Sequence, residues 1–175
     1  MLDSHTQLSL VLGGSRSGKS RYAEELVRAQ PAPWVYLATA QAFDAEMAAR
    51  IAEHRARRDE GWRTVEAPLA LPEAIRDAPA AAPVLADCLT LWLSNLMLGG
   101  HDVAAAVDDL ETALAARDAT TVLVSNEVGL SIVPDNPLGR AFSDAQGRLN
   151  QRIARQAARV VFMVAGLPMV MKDET

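Results

Sequence analysis

Two hydrophobic rhythms alternate along the chain. Short, nearly continuous apolar runs rich in β-branched and aromatic residues occur at residues 8–12, 34–39, 84–87, 120–125 and 159–165, and a further short strand with polar positions is read at 62–66. Runs of this length and kind read as strands buried on both faces. Between them, apolar side chains recur every three or four residues, the spacing of helices packed on one side. These helices are predicted at 21–28, 43–58, 71–77, 89–98, 102–117 and 138–158. The second carries Phe43, Met47, Ile51, His54 and Arg58 at helical spacing, with Asp44 near its start and Gly61 expected to end it. The fifth carries Val103, Val107, Leu110 and Leu114 on one stripe, and residues 169–172 can add a short last strand. Strands alternating with helices along the chain predict an α/β fold with a mainly parallel sheet and helices on both faces. The Ala-Pro stretch 78–83 is too short for an interdomain linker, so residues 1–175 read as one domain with 1–7 as a flexible tail.

The first strand runs into Gly13-Gly14-Ser15-Arg16-Ser17-Gly18-Lys19-Ser20. This fits the phosphate-loop pattern G-x-x-x-x-G-K-[ST], and it has the strand before and the helix after that the motif requires. Glycine lets the backbone turn tightly and come close to phosphates, and the loop N–H groups with the helix start form a nest for anionic oxygens. Lys19 is expected to reach the β/γ-phosphates and the Ser20 hydroxyl to hold Mg²⁺. Lys19 and Lys172 are the only lysines, against fifteen arginines. A lysine inside this loop therefore points to chemistry that wants a compact charge.

In an open α/β sheet, nucleotides bind at the carboxyl ends of the strands. Three carboxylates fall there: Glu66, Asp87 and Glu127. Each could hold Mg²⁺ or cap the next turn. Asp87 has the best claim, since an apolar strand leads directly into it, and Glu127 follows, with Gly129 allowing close approach. His5 falls in the tail and His101 in a glycine-adjacent turn. His54 shares its helix face with Met47 and Ile51, where a half-buried structural histidine is the default. Arg50, Arg55, Arg57 and Arg58 surround it, however. Neighbouring positive charge favours a neutral, nucleophilic imidazole, and the arginines could hold a triphosphate.

Composition narrows the class. A chain of 175 residues, 50% apolar and 22% charged, is that of a globular protein. A net charge of -5 argues against nucleic-acid binding. One cysteine, Cys88, excludes an intrachain disulfide or a cysteine-based zinc cluster. The start MLDSHTQ has no basic stretch followed by an apolar run, and the longest near-apolar run, 160–171, is too short to span a bilayer. A cytoplasmic location without a membrane span is expected.

Together these segments resemble the bifunctional adenosylcobinamide kinase / adenosylcobinamide-phosphate guanylyltransferase family of cobalamin biosynthesis. The resemblance spans nearly the whole chain. It rests on the phosphate loop, Tyr36-Leu-Ala-Thr39, Glu46-Met-Ala-Ala-Arg-Ile51 with His54-Arg55, Trp62-Arg-Thr-Val-Glu66, Asn126-Glu-Val-Gly129, Ile132-Val-Pro134 and Gly147-Arg-Leu-Asn-Gln-Arg152. It implies two reactions: phosphorylation of adenosylcobinamide by ATP or GTP, then GMP transfer from GTP to adenosylcobinamide phosphate through a guanylylated histidine, matched here by His54. It further implies GTP contacts from Ala38, Thr39, Ala40, Arg55, Ala56, Arg57, Arg58, Glu66 and Asp87, a RecA-like phosphate-loop fold, and a homotrimer. An ordinary small-molecule phosphate-loop kinase, or a nucleotide-switch ATPase, would share the loop without the covalent histidine.

Overall fold

A computed structural model of the protein describes residues 7–42, 45–56 and 58–175. Seven strands, β1 (Leu8–Gly13), β2 (Trp34–Ala38), β3 (Trp62–Glu66), β4 (Val84–Asp87), β5 (Thr121–Asn126), β6 (Arg159–Val164) and β7 (Leu167–Asp173), form one sheet in the order β3-β2-β4-β5-β1-β6-β7. Every pairing is parallel except β6 with β7, which form an antiparallel hairpin. The continuous apolar runs have their cause here: β1, β2, β4 and β5 are interior strands covered on both sides, so neither face can be polar.

The helices divide between the faces. Helices α3 (Leu71–Asp77), α4 (Leu89–Leu98), α5 (Val103–Ala115) and α6 (Pro137–Gln156) bury Ile75, Trp92, Leu110 and Ile153 against Leu10, Leu37, Ala86 and Leu123 of the sheet. On the other face, α1 (Lys19–Arg28) buries Ala23 and Val27 against Val11, Leu85, Val122 and Val161. Helices on both faces of a mainly parallel sheet are the architecture that the alternating rhythm predicts.

Two boundaries differ from expectation, each for a local reason. Helix α2 (Ala45–Ala56) stops before Gly61, because Asp59 Oδ1 accepts from the Gly61 amide at 3.0 Å and turns the chain into β3. Phe43, Asp44 and Arg57, assigned to that helix from the sequence, lie outside the described residues. Strand β7 is longer than residues 169–172, because it needs only one partner; its apolar side chains Leu167, Met169 and Met171 are exposed.

A charged residue also takes a core position. Arg117, 8% exposed, turns its guanidinium inward and donates to the carbonyls of Ala78, Pro79 and Ala82. Burial pushes its pKa down from the ordinary arginine range. The Ala78 and Ala82 carbonyls of the proline-broken connector lie outside any helix or strand, and Arg117 supplies them with donors.

Candidate active site

The phosphate loop leaves β1 and turns into α1 with its backbone wedged against the sheet's neighbours. A Cβ on Gly13 would come within 2.8 Å of the Met163 carbonyl and 2.5 Å of Ser17 Oγ. Gly18 has φ +94°, a left-handed conformation, and a Cβ there would touch Gly166 Cα at 3.4 Å. The Gly166 amide in turn donates to the Ser17 carbonyl at 3.1 Å, so the β6–β7 turn buttresses the loop. Arg16 also has positive φ, at 54°, a strained state for a side-chain-bearing residue. Lys19, 9% exposed, donates from Nζ to the Gly14 carbonyl at 2.7 Å.

Beside the loop opens a cleft of about 220 Å³. Of the residues singled out from the sequence, Ser15, Arg16, Lys19 and Ser20 line it from the loop. Ala38, Ala40, Glu66 and Asp87 line it from the strand ends, and Arg55 and Arg58 from the end of α2 and just beyond. Arg55 forms an ion pair with Glu66. Four cationic side chains against two carboxylates make the wall suited to a polyphosphate. Gly13, Gly14, Ser17 and Gly18 form the loop's curve rather than the cleft wall.

Some expected members stand elsewhere. Thr39, expected at the nucleotide, is fully buried beneath the cleft. Its hydroxyl donates to the Cys88 carbonyl and accepts from the Cys88 amide, both at 2.8 Å, and its own carbonyl accepts from Asn95 Nδ2 at 2.9 Å. It staples β2 to the turn after β4 and has no group left to reach the cleft. Glu127 is turned onto its own loop, where Oε1 accepts from the Gly129 amide at 2.8 Å. Ala56, the last residue of α2, is exposed and does not line the cleft, and Arg57 lies outside the described residues. The backbone of His54 sits within α2 between Glu53 and the cleft-lining Arg55; its side chain lies outside what is described.

Other participants were given no role from the sequence, although Tyr36, Ile51 and Asn126 fall in segments on which the family resemblance rests. Tyr36, Ile51, Cys88, Leu91, Val124 and Asn126 complete the wall. Burial raises the Cys88 thiol to about 11, so it presents an S–H rather than a thiolate. Asn126 is fixed from two sides: its amide donates to Thr90 Oγ1 at 2.8 Å, and its carbonyl accepts from Asn150 Nδ2 at 3.0 Å. Behind it, Gln146 Nε2 donates to Ser125 Oγ and to Asn150 Oδ1, both at 2.9 Å. Apolar residues at those α6 positions would have left the end of β5 unheld. The only advance signal was a polar pair, Gln146 and Asn150, four residues apart on an otherwise core-facing stripe.

As a metal site, the cleft offers the Ser20 hydroxyl and the Asp87 carboxylate, and no cluster of three or more His, Cys, Asp or Glu occurs among the described residues. A few hard oxygen donors next to a phosphate cradle suit Mg²⁺, which is held mostly by phosphates and water, rather than zinc.

Comparison with known proteins adds the family. Residues 9–171 match the sequence pattern of the cobinamide kinase / cobinamide phosphate guanyltransferase family. The bifunctional adenosylcobalamin biosynthesis protein CobP of Pseudomonas aeruginosa is 49% identical over 168 residues, covering 94% of this chain and 97% of that protein. The bifunctional adenosylcobalamin biosynthesis protein CobU of Salmonella typhimurium is 43% identical over 179 residues, covering 93% and 98%. Among solved structures, a Pyrococcus horikoshii OT3 protein superposes with a TM-score of 0.54 at 9% identity, covering 96% of this chain and 87% of that one. A solved ATPase domain gives 0.51 at 14% identity, covering 97% and 78%. At those identities the likeness concerns the fold alone, and that fold is the RecA-like phosphate-loop one.

Thr39→Val tests the distinction between wall and staple. Replacing the hydroxyl by a methyl strands the Cys88 amide and carbonyl, which is expected to lower unfolding stability in urea by about 2 kcal/mol. Nucleotide affinity of the folded fraction is expected to stay at the wild-type value, and a loss of affinity without a loss of stability would return Thr39 to the binding wall.

Proposed function

Because the chain belongs to the cobinamide kinase / cobinamide phosphate guanyltransferase family, we propose that both reactions of that name run in the phosphate-loop cleft, the second through His54. In the first, the hydroxyl oxygen of adenosylcobinamide attacks the γ-phosphorus of ATP or GTP, and the bond to the β-phosphate oxygen breaks. In the second, a ring nitrogen of His54 attacks the α-phosphorus of GTP and pyrophosphate leaves. The corrinoid phosphate then attacks the same phosphorus, the P–N bond breaks, and adenosylcobinamide-GDP is released. Covalent catalysis of this kind divides a transfer between two anions into two easier steps.

The observation that carries this reading is that one segment, α2 with the residues just after it, puts Ile51, Arg55 and Arg58 on the same cleft as the phosphate loop and Asp87. His54 adjoins Arg55 in that helix. In the proposed assignment Lys19 and the loop amides from Gly13 to Ser20 hold the phosphates, while Arg16, Arg55, Arg57 and Arg58 offset their charge. Ala38 and Ala40 give the base and sugar a small-residue wall. Ser20 and Asp87 would hold Mg²⁺, which when bound neutralises charge on the phosphoryl group in flight. We place the enzyme in the cytoplasm, where its nucleotides are, acting as one nucleotide-binding domain. No helix of the described residues is long and apolar enough to cross a membrane.

We also propose a homotrimer. Leu130, Ile132, Val133 and Leu138 are exposed around the loop after β5, as are Leu167 and Met171 on β7, apolar side chains that a subunit interface would cover. A light-scattering mass of three chains is the expected result, and a monomer would remove this part.

The two reactions can be separated by substitution. His54→Ala is expected to lower GMP transfer by about a thousandfold or more, the scale of losing a nucleophile, while phosphorylation of adenosylcobinamide continues. Lys19→Ala is expected to depress both. A His54→Ala enzyme that transfers GMP at the wild-type rate would reduce the reading to a phosphate-loop enzyme without a covalent histidine.

A further inference from the structure

Tyr36 is the residue of the cleft to which the sequence assigns no chemical role and that touches two of its working parts at once. It sits in the middle of β2, opposite Leu85 of β4, and is 4% exposed. From there its phenol O–H donates to Asp87 Oδ2 at 3.1 Å, across 51 residues of sequence. Its ring carries the Arg58 guanidinium at 3.7 Å from the ring centroid and meets the Trp62 ring edge-on at 6.0 Å. Arg58 follows α2 directly, and its amide donates to the Arg55 carbonyl at 3.1 Å. One side chain thus joins the carboxylate at the end of β4 to the end of the helix bearing His54.

The chemistry of the contact has a direction. Asp87 is acceptor-only when ionised, so the phenol must be the donor. A carboxylate at a strand end can otherwise rotate about its terminal torsion, which is broad for aspartate. Holding one oxygen fixes the plane and therefore the direction in which the other projects. Partners of this second kind orient groups that bind metal, and their loss typically costs 10–100-fold in metal affinity.

We propose that Tyr36 is a positioning residue that orients the Asp87 carboxylate toward the magnesium–nucleotide complex, while its ring docks the end of α2 through Arg58. This rests on the reading of Asp87 as the magnesium-side carboxylate. The two functions of the side chain are separable, because Tyr36→Phe removes the hydroxyl and keeps the ring.

The test measures the affinity of the full chain for a fluorescent GDP analogue, N-methylanthraniloyl-GDP, with Mg²⁺ and with EDTA, so that each protein yields a magnesium-dependent gain in binding. In the wild type a gain is expected, and Asp87→Asn abolishes it. Tyr36→Phe is expected to lower the gain about tenfold. Tyr36→Leu should lower it similarly and also weaken binding in EDTA, since Arg58 loses its platform. Circular dichroism with thermal melting identifies the folded fraction of each variant. A Tyr36→Phe protein with the wild-type gain, alongside an Asp87→Asn protein without one, overturns the proposal and leaves the Asp87 reading standing. No gain in the wild type, or a full gain in Asp87→Asn, overturns both.

Discussion

The active end of this sheet depends on how closely the backbone at Gly13 and Gly18 lies against its neighbours. Gly13 abuts the Met163 carbonyl of β6, and Gly18 abuts Gly166 in the turn between β6 and β7. There is no room for a Cβ at the first, and the second has a left-handed φ. Once the loop is pinned this way, the start of α1 is fixed over the carboxyl ends of the strands. Lys19, Ser20 and the loop amides then converge on one volume. The hairpin that closes the sheet is therefore part of the nucleotide site, although none of its residues carries chemistry.

Sheet order supplies the second constraint. Strand β5 lies between the phosphate-loop strand β1 and β4, so Asp87 stands two strands away from the loop rather than beside it. That leaves a gap between the loop and Asp87, lined by Val124 and Asn126 of β5. Asn126 stays in place because α4 and α6 reach across to hold its amide and carbonyl. The polar network Ser125–Gln146–Asn150 is accordingly buried on purpose: a fully apolar interface would pack the same helices yet leave the strand end unguided.

The sequence made some of this legible and left the rest obscure for physical reasons. The elements were readable because an apolar run differs from an apolar stripe, and the phosphate loop because its glycines, lysine and serine fall at fixed spacing in one short segment. Asp87 was readable as the last residue of an apolar run. Which way each strand residue points was not. In a strand buried on both faces there is no polar alternation to tell Tyr36, which lines the cleft, from Thr39, which lies beneath it. The contacts that matter most between those strands join residues about fifty apart, Tyr36 with Asp87 and Thr39 with Cys88, and no local spacing encodes them. Arg117 was hidden for a similar reason, since an arginine at a helix end reads as solvated until the carbonyls of Ala78, Pro79 and Ala82 are seen above it. His54 stood out only through its arginine neighbours, and its chemical role comes from the family resemblance.

The central claim is that the cleft hands GMP to the acceptor through His54. It is tested most directly by incubating the protein with Mg²⁺ and GTP labelled at the α-phosphate, denaturing it, and mapping the label. The account predicts an acid-labile, base-stable adduct on the peptide containing His54, discharged when adenosylcobinamide phosphate is added before denaturation. A protein that turns over GTP with acceptor yet never carries the label, or one that keeps it in His54→Ala, would contradict it.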